Sequence, residues 1–265
     1  MFGTAKTPRN PIRTSAGLFS SARIRFNPPV EIAENIAAIR KRVTDACERA
    51  GRAPESVRLM GVSKTQPASA IREAVEAGQT LFGENKIQEA KLKMSECPPS
   101  ATFHFIGHLQ TNKARDAAKF FAMVHGVDSL RLARELNKKA DQLARDLPIL
   151  LEVNVAGEAS KFGYSPEAVL NDLDELLDLP RLELHGLMCI PPFSNDPERS
   201  RPYFQRLVEL KERCEEKIGV PLPELSMGMS GDFEVAIEEG STIVRVGTAI
   251  FGKRRYANTQ SQKET

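Results

Sequence analysis

Two patterns of apolar residues follow one another along this chain. Within residues 31–50, Ile32, Ile36, Ile39 and Val43 recur at the spacing of an amphipathic helix. After this helix, short runs rich in β-branched and other apolar residues alternate with stretches of helical periodicity. Such an alternation predicts parallel strands, each followed by a helix that covers the sheet.

The short apolar runs predict eight strands, and helical segments lie between them. The strands are Arg58–Ser63, Thr80–Gly83, Thr102–Gly107, Met123–Val127, Pro148–Val155, Leu182–Met188, Glu224–Met227 and Thr242–Val246. The helical segments are 67–78, 84–95, 112–120, 129–145, 165–178, 198–218 and 231–239.

The number of units decides the predicted architecture. Eight strand–helix units match a closed barrel, whereas an open doubly wound sheet usually has about five or six strands and a Gly-rich first turn. The first turn here, residues 63–67, reads SKTQP and has no GxGxxG pattern. We therefore predict an α/β protein, a single (β/α)8 TIM barrel with an extra N-terminal helix at 29–256. A basic extension at 1–28 and a polar tail at 257–265 would flank it.

Composition excludes several classes of protein. Hydrophobic residues make up 41% and charged residues 27% of the chain, which is typical of a globular protein rather than a disordered one. No stretch approaches the ~18 consecutive apolar residues of a membrane span, so we predict no membrane insertion. Four cysteines without a CxxC pair predict free thiols in a reducing compartment.

The positive charge is concentrated at the N-terminus. The formal net charge is +2, but the first thirty residues hold five basic residues and no acid, so the remainder has 32 basic against 35 acidic residues. This balance and the 6% aromatic content argue against nucleic-acid binding. The N-terminal segment lacks the apolar centre of a secretory signal. We interpret it as a disordered extension or a misassigned start, with an organellar transit peptide as the alternative to a cytoplasmic protein.

Polar residues collect where the predicted strands end, which is the face where barrels place their sites. After strands seven and eight, the segments Ser226–Asp232 (SMGMSGD) and Gly247–Thr248 supply hydroxyls and flexible backbone before a helix near Gly231. Loops in this position often bind phosphate. The alternative is that Ser230 is only a helix N-cap and Gly247 only a tight turn.

Two basic residues, Lys64 and Arg245, are candidates for the site. Lys64 follows the first predicted strand, where a sheltered amine could form a Schiff base with a carbonyl; the alternative is a lysine extended into solvent. Arg245 lies within strand eight. It would meet an anion or a cofactor ring nitrogen if it points inward, or would pair with Glu183 or Asp128.

The spacing of His104 and His108 resembles a metal pair, but the surrounding pattern is that of a strand end, and no HExxH or Cys cluster accompanies them. We therefore predict structural or substrate-facing histidines and no metal site.

Seven motifs, in order, closely resemble the pyridoxal phosphate homeostasis protein family (the YggS/PROSC group). They are GVSKTQP (61–67), LFGENKIQEA (81–90), FHFIGHLQTNK (103–113), SKFGY (160–164), GLMCIPP (186–192), LSMGMSGDFEVAI (225–237) and GSTIVRVGTAIFG (240–252). The resemblance covers residues from about 30 to 256, the whole predicted barrel.

The resemblance implies a barrel similar to the N-terminal domain of alanine racemases and a site for pyridoxal 5′-phosphate (PLP). Lys64 would form the Schiff base with the cofactor. Further cofactor-binding residues implied by the matching motifs are Asn85, Ser226, Met229, Ser230, Arg245, Gly247 and Thr248.

Two classes of function remain open at this stage. The first is an intracellular carrier and buffer of PLP without turnover of its own, a monomer or weak dimer whose partners are PLP and PLP-dependent acceptor enzymes. The second is a PLP-dependent amino-acid racemase, which needs acid/base groups on both faces of the substrate α-carbon. No tyrosine falls at a predicted strand end, and no second domain is expected after the barrel. These points favour the carrier.

Overall fold

In the computed structural model, which describes residues 1–3, 31–158 and 161–252, the eight predicted strands are all present. They are β1 (Arg58–Val62), β2 (Leu81–Glu84), β3 (Thr102–Phe105), β4 (Met123–Val127), β5 (Leu147–Val153), β6 (Leu182–Cys189), β7 (Glu224–Met229) and β8 (Ile243–Val246). The strands are parallel and pair in sequence order, and β8 pairs with β1. The prediction of a closed (β/α)8 barrel is confirmed.

Helices cover the outside of the barrel. They are α1 (Ile32–Arg49), α2 (Ala68–Glu76), α3 (Ile87–Met94), α4 (Ala114–Phe120), α5 (Leu130–Gln142), α6 (Pro166–Leu177), α7 (Arg201–Ile218), α8 (Phe233–Glu238) and α9 (Thr248–Phe251). Sequence periodicity missed α9, whose single turn is too short to show a period. No helix in the described ranges combines the length and apolar character needed to cross a membrane.

The extra N-terminal helix packs against the outside of the closed barrel. The apolar face of α1, with Ile32, Ile36 and Ile39, is buried. Asn35 donates to the Ile250 carbonyl of α9 at 2.9 Å, and Arg42 pairs with Glu234 of α8 at 2.9 Å. This helix therefore fastens the segments that follow β7 and β8, where the predicted site lies.

The core has two parts. One large cluster joins the helices to the outer face of the strands. Two small clusters, one around Met60 and Ile243 and one around Leu150 and Met188, consist of residues from strands and strand ends. Polar side chains are buried on the strands as well, including His104, His125, Ser226 and Arg245.

Some predicted boundaries were wrong by a few residues. Strand β1 ends at Val62, so Lys64 lies in the following turn rather than at a strand end. The helix expected from residue 231 begins at Phe233. The proposed extension and tail fall outside the described residues, apart from residues 1–3.

Candidate functional site

A cavity of about 370 Å³ opens where the strands end, and we call it the strand-end cavity. Its wall brings together segments from β1, β2, β7 and β8 that are far apart in the sequence. Seven of the eight predicted site residues line it: Lys64, Asn85, Met229, Ser230, Arg245, Gly247 and Thr248.

The eighth residue, Ser226, does not line this cavity. Its side chain is fully buried on β7, and its hydroxyl oxygen accepts a hydrogen bond from Nη1 of Arg245 at 2.7 Å. Ser226 thus contacts the cavity wall through Arg245, which lines the cavity. A direct contact between Ser226 and the cofactor stays a prediction.

Lys64 occupies a turn that is tied to helix α3. The carbonyl of the preceding Ser63 accepts from the Lys93 ammonium at 2.7 Å, and the Gln66 carbonyl accepts from it at 3.3 Å. The N–H of Thr65, whose φ of 65° lies in the left-handed region, donates to the Glu89 carboxylate. The turn that presents Lys64 to the cavity is thus fixed by side chains of another element.

A buried carboxylate completes this clamp. Glu84, fully buried at the end of β2, accepts from the Ser63 hydroxyl at 2.6 Å and pairs with Lys93 at 2.7 Å. Burial raises the pKa of Glu84, and the neighbouring ammonium of Lys93 opposes that shift. Neither residue was singled out in the sequence. The sequence did contain one signal for Lys93: this lysine falls on the same helix face as the apolar residues Ile87 and Ala90.

Asn85 brings an unsatisfied acceptor to the same wall. Its Oδ1 is buried and has no hydrogen-bond partner among the described residues. The backbone of Asn85 is in close contact with Gly107, where an added Cβ would lie 2.4 Å from the Asn85 carbonyl oxygen. Glycine at 107 therefore allows β2 and β3 to bring this side chain to the cavity.

Backbone donors without an internal acceptor occur in the loops after β7 and β8 that line the cavity. The N–H groups of Ser230, Gly231, Gly247 and Thr248 donate to no acceptor in the described part of the chain. Asp232 is the N-cap residue of the helix after β7, and its carboxylate accepts from the Met229 N–H at 2.7 Å rather than from an N–H of the helix. The interpretation of Ser230 as a simple N-cap is therefore wrong, and its hydroxyl stays available to a ligand.

Close packing supports this loop arrangement. Gly228 has a φ of +90°, and an added Cβ would lie 2.6 Å from the Ala236 methyl group. A side chain at 228 would push α8 away from β7. At Gly247, an added Cβ would lie 3.3 Å from Val62, so glycine here lets the loop after β8 approach the end of β1 closely.

Arg245 points into the barrel, which resolves the alternatives left open by the sequence. Its Nη1 donates to the carbonyl and hydroxyl oxygens of Ser226, at 2.6 and 2.7 Å, and its Nη2 donates to the Cys189 carbonyl at 2.8 Å. It pairs with neither Glu183, which contacts His185, nor Asp128, which contacts His108. A guanidinium has five N–H groups, so two remain for an acceptor in the cavity.

A smaller cavity of about 270 Å³ adjoins the first and shares Asn85, Ile106 and Ile190 with it. His108 lines it, its Nδ1 lies 3.1 Å from the Asp128 carboxylate, and its ring stacks on Phe162. Burial, with Asp128 nearby, raises the pKa of Glu152 in this wall to about 7. The sequence did not single out Glu152.

The two histidines considered as a metal pair lie in different surroundings. His104 is buried inside the barrel and contacts His125 at 2.9 Å, while His108 is at the smaller cavity. No cluster of three or more potential metal ligands occurs among the residues that the structure describes.

Comparison with known proteins agrees with this architecture. The family model for the alanine racemase N-terminal domain matches residues 34–255. The chain is 44% identical over 226 residues to the pyridoxal phosphate homeostasis protein of Aquifex aeolicus, which covers 84% of this chain and 98% of that protein.

Solved structures give the same result. The structure of PipY from Synechococcus elongatus PCC7942 with PLP bound has 38% sequence identity and a TM-score of 0.75, and the match covers 83% of this chain and 100% of PipY. An alanine racemase of Clostridium difficile has 16% identity and a TM-score of 0.61, over 86% of this chain and 58% of the racemase, and this likeness shows the fold alone.

Proposed function

This chain belongs to the pyridoxal phosphate homeostasis protein family, and from that membership we propose that it binds PLP in the strand-end cavity and takes part in intracellular PLP homeostasis. The relative PipY is described with PLP bound. We propose the same cofactor here, held as a Schiff base on Lys64, with the protein as a carrier and buffer rather than a catalyst.

The residues of the cavity are suited to this ligand. The backbone N–H groups of Ser230, Gly231, Gly247 and Thr248 are available to the oxygens of a phosphate group. The two remaining N–H groups of Arg245 can donate to a further acceptor, and Lys64 supplies the primary amine. When bound, PLP supplies an aldehyde that condenses reversibly with such an amine. The convergence of these donors with Lys64 at one cavity carries the proposal.

The carrier role has a simple chemical rationale. Free PLP reacts with stray amines, and reversible attachment to Lys64 lowers its free concentration. Release requires only that another amine take the place of the lysine. The protein has to orient the cofactor and hold the lysine in reach, which the clamp around Lys64 and the loops after β7 and β8 provide.

One observation favours the racemase alternative. Glu152, with its pKa raised to about 7 by burial, lies in the wall of the adjoining cavity and is a candidate proton-transfer group. Among the tyrosines in the described residues, neither Tyr164 nor Tyr203 lines either cavity, although the buried Tyr164 forms a bridge with Val153 at the end of β5.

Two measurements separate the functions. The purified full-length protein is equilibrated with PLP, dialysed, and mixed with the apo form of a PLP-dependent enzyme whose recovered activity reports transfer. The same preparation is incubated with L-alanine and other L-amino acids, and D-isomers are quantified by chiral chromatography. The proposal predicts transfer without sustained D-isomer formation; multiple turnovers to the D-isomer would contradict it. We also expect the protein to be cytoplasmic and to be a monomer or weak dimer. Sedimentation of the purified protein tests the oligomeric state.

A further inference from the structure

A row of hydrogen bonds crosses the inside of the barrel below the strand-end cavity. Nδ1 of His104 on β3 lies 2.9 Å from Nε2 of His125 on β4, and Nδ1 of His125 lies 3.0 Å from the Ser226 hydroxyl on β7. That hydroxyl is in turn 2.7 Å from Nη1 of Arg245 on β8. In an eight-strand ring, β3 lies opposite β7, and β4 lies opposite β8, so the row joins opposite walls.

The donor-only chemistry of arginine sets the direction of this row. A guanidinium has no acceptor, so the Ser226 oxygen must accept from Arg245. Among the described residues, the hydroxyl hydrogen then has one other partner, Nδ1 of His125. If His125 carried a hydrogen on Nδ1, the Ser226 hydroxyl would be a buried donor without an acceptor, which is costly.

This argument fixes both histidine tautomers. Since His125 accepts at Nδ1, its hydrogen is on Nε2 and is donated to Nδ1 of His104, whose own hydrogen is therefore also on Nε2. The burial of both rings favours the neutral forms: the pKa of His104 is lowered to about 3, and that of His125 is lowered as well. The row is therefore uncharged up to Arg245.

We propose that His125 is a positioning residue for Arg245. By accepting the hydroxyl hydrogen of Ser226, His125 turns the hydroxyl oxygen toward the guanidinium and so holds Arg245 in the cavity wall with two N–H groups left for an acceptor. The proposal rests on the proposed function, because the acceptor for those groups is taken to be PLP. His104 supports His125 from β3. The backbone carbonyls of Ser226 and Cys189 also accept from Arg245, so the row supplies only part of the hydrogen bonding that positions its guanidinium.

The tautomers can be measured without the cofactor. In apo protein labelled with ¹⁵N-histidine, with His108→Gln and His185→Gln variants to assign the signals, His104 and His125 should both be neutral Nε2–H tautomers from about pH 5 to pH 8. A hydrogen on Nδ1 of His125, or titration of its ring in that range, would overturn the proposal.

Substitutions at His125 then test the consequence for binding. Asparagine places an acceptor oxygen where Nδ1 stands, whereas glutamine reaches the position of Nε2 and leaves the Ser226 hydroxyl without its acceptor. We expect His125→Asn to keep most of the PLP affinity, and His125→Gln and Ser226→Ala each to weaken it about three- to tenfold, the loss of one net hydrogen bond. Affinity is read from spectral titration with PLP, and His185→Gln, in a partly exposed pair on β6, is the matched control.

The outcomes are distinguishable. Equal PLP affinity in the Asn and Gln variants, with lowered thermal stability in both, would assign His125 a purely structural role and overturn the proposal. Failure of the unsubstituted protein to bind PLP would instead contradict the proposed function, and the tautomers in the apo protein would still decide whether the row runs as proposed.

Discussion

The two sides of the strand-end cavity hold their functional cations in different ways. On the β1 side, an ammonium and two carboxylates, those of Lys93, Glu84 and Glu89, tie down the turn that carries Lys64. On the β8 side, neutral partners and backbone carbonyls hold Arg245. Lys64 lies outside a strand and its backbone must be fixed by contacts from elsewhere, whereas the backbone of Arg245 is already fixed by the sheet.

This difference has an energetic consequence. Two ions of the charged clamp, Lys93 and Glu84, are buried away from water, so the stability of this side depends on keeping both. The row of neutral residues, His104, His125 and Ser226, contains no buried ion pair. Removing one of these side chains should lower the interaction free energy by about that of one net hydrogen bond. The β1 side should therefore be sensitive to single substitutions in both stability and binding, and the β8 side mainly in binding.

The largest expected effect is that of Lys93→Met. It leaves the Glu84 carboxylate buried without its cation, and we expect the free energy of unfolding to fall by about 3–5 kcal/mol. PLP binding should weaken as well, because the carbonyls of Ser63 and Gln66 lose their shared donor. Urea denaturation and spectral titration with PLP measure the two effects.

A double variant sharpens this prediction. Adding Glu84→Gln to Lys93→Met removes the unpaired charge and should restore much of the stability without restoring PLP affinity. If both quantities recovered together, the clamp would act on stability alone and would have no role in holding the Lys64 turn.

Substitution of Arg245 comes next. Arg245→Gln removes charged donors that face the cavity, and we expect PLP affinity to fall about ten- to a hundredfold, as for hydrogen bonds to a charged group. Arg245→Lys keeps the charge but loses the planar fork, and it should also bind less tightly. Unchanged affinity in the lysine variant would show that charge alone, and not the held geometry, matters on this side.

Glu152, a partly buried acid, offers a test of what charge pairing contributes to stability. Glu152 has no hydrogen-bonded cation in the described part of the chain, and its folded-state pKa is raised from 4.5 to about 7 by burial. Since the folded state binds this proton more tightly, the free energy of unfolding should fall as pH rises from about 4.5 to 7. Glu152→Gln should therefore stabilise the protein by about 1–3 kcal/mol at pH 8 and have no effect near pH 4.

The check is thermal or urea denaturation of both proteins across that pH range. Glu183→Gln, an exposed carboxylate on β6, is the control and should change stability by less than about 0.5 kcal/mol. A Glu152→Gln variant that is equally stable or less stable at pH 8 would show that the carboxylate is well compensated in the folded protein.

The smallest expected effect is that of Lys91→Met on α3, two residues from Lys93. Lys91 pairs with Asp116 at 3.2 Å in an exposed position, and such pairs contribute less than about 1 kcal/mol. It serves as the matched control for Lys93→Met. If both substitutions destabilised the protein equally, the buried clamp would have no special importance.

The sequence predicted the fold well because strand and helix periods repeat eight times, and the motifs located seven residues that meet at one cavity. It did not predict the supporting residues. Lys93 lies on a helix with a mixed face, and His125 is one polar residue in a short apolar strand. Their roles depend on side-chain contacts between elements distant in sequence. The motif also did not predict that Ser226 contacts Arg245 instead of lining the cavity, since a motif gives position in the chain and not the direction of a side chain.

The most direct test of the central claim is borohydride reduction of the full-length protein after incubation with PLP, followed by peptide mapping. We predict a visible absorption band that reduction removes, one phosphopyridoxyl group per chain on Lys64, and loss of this label in Lys64→Ala. Absence of the label, or a label confined to another lysine, would contradict the assignment of Lys64 as the residue that holds the cofactor.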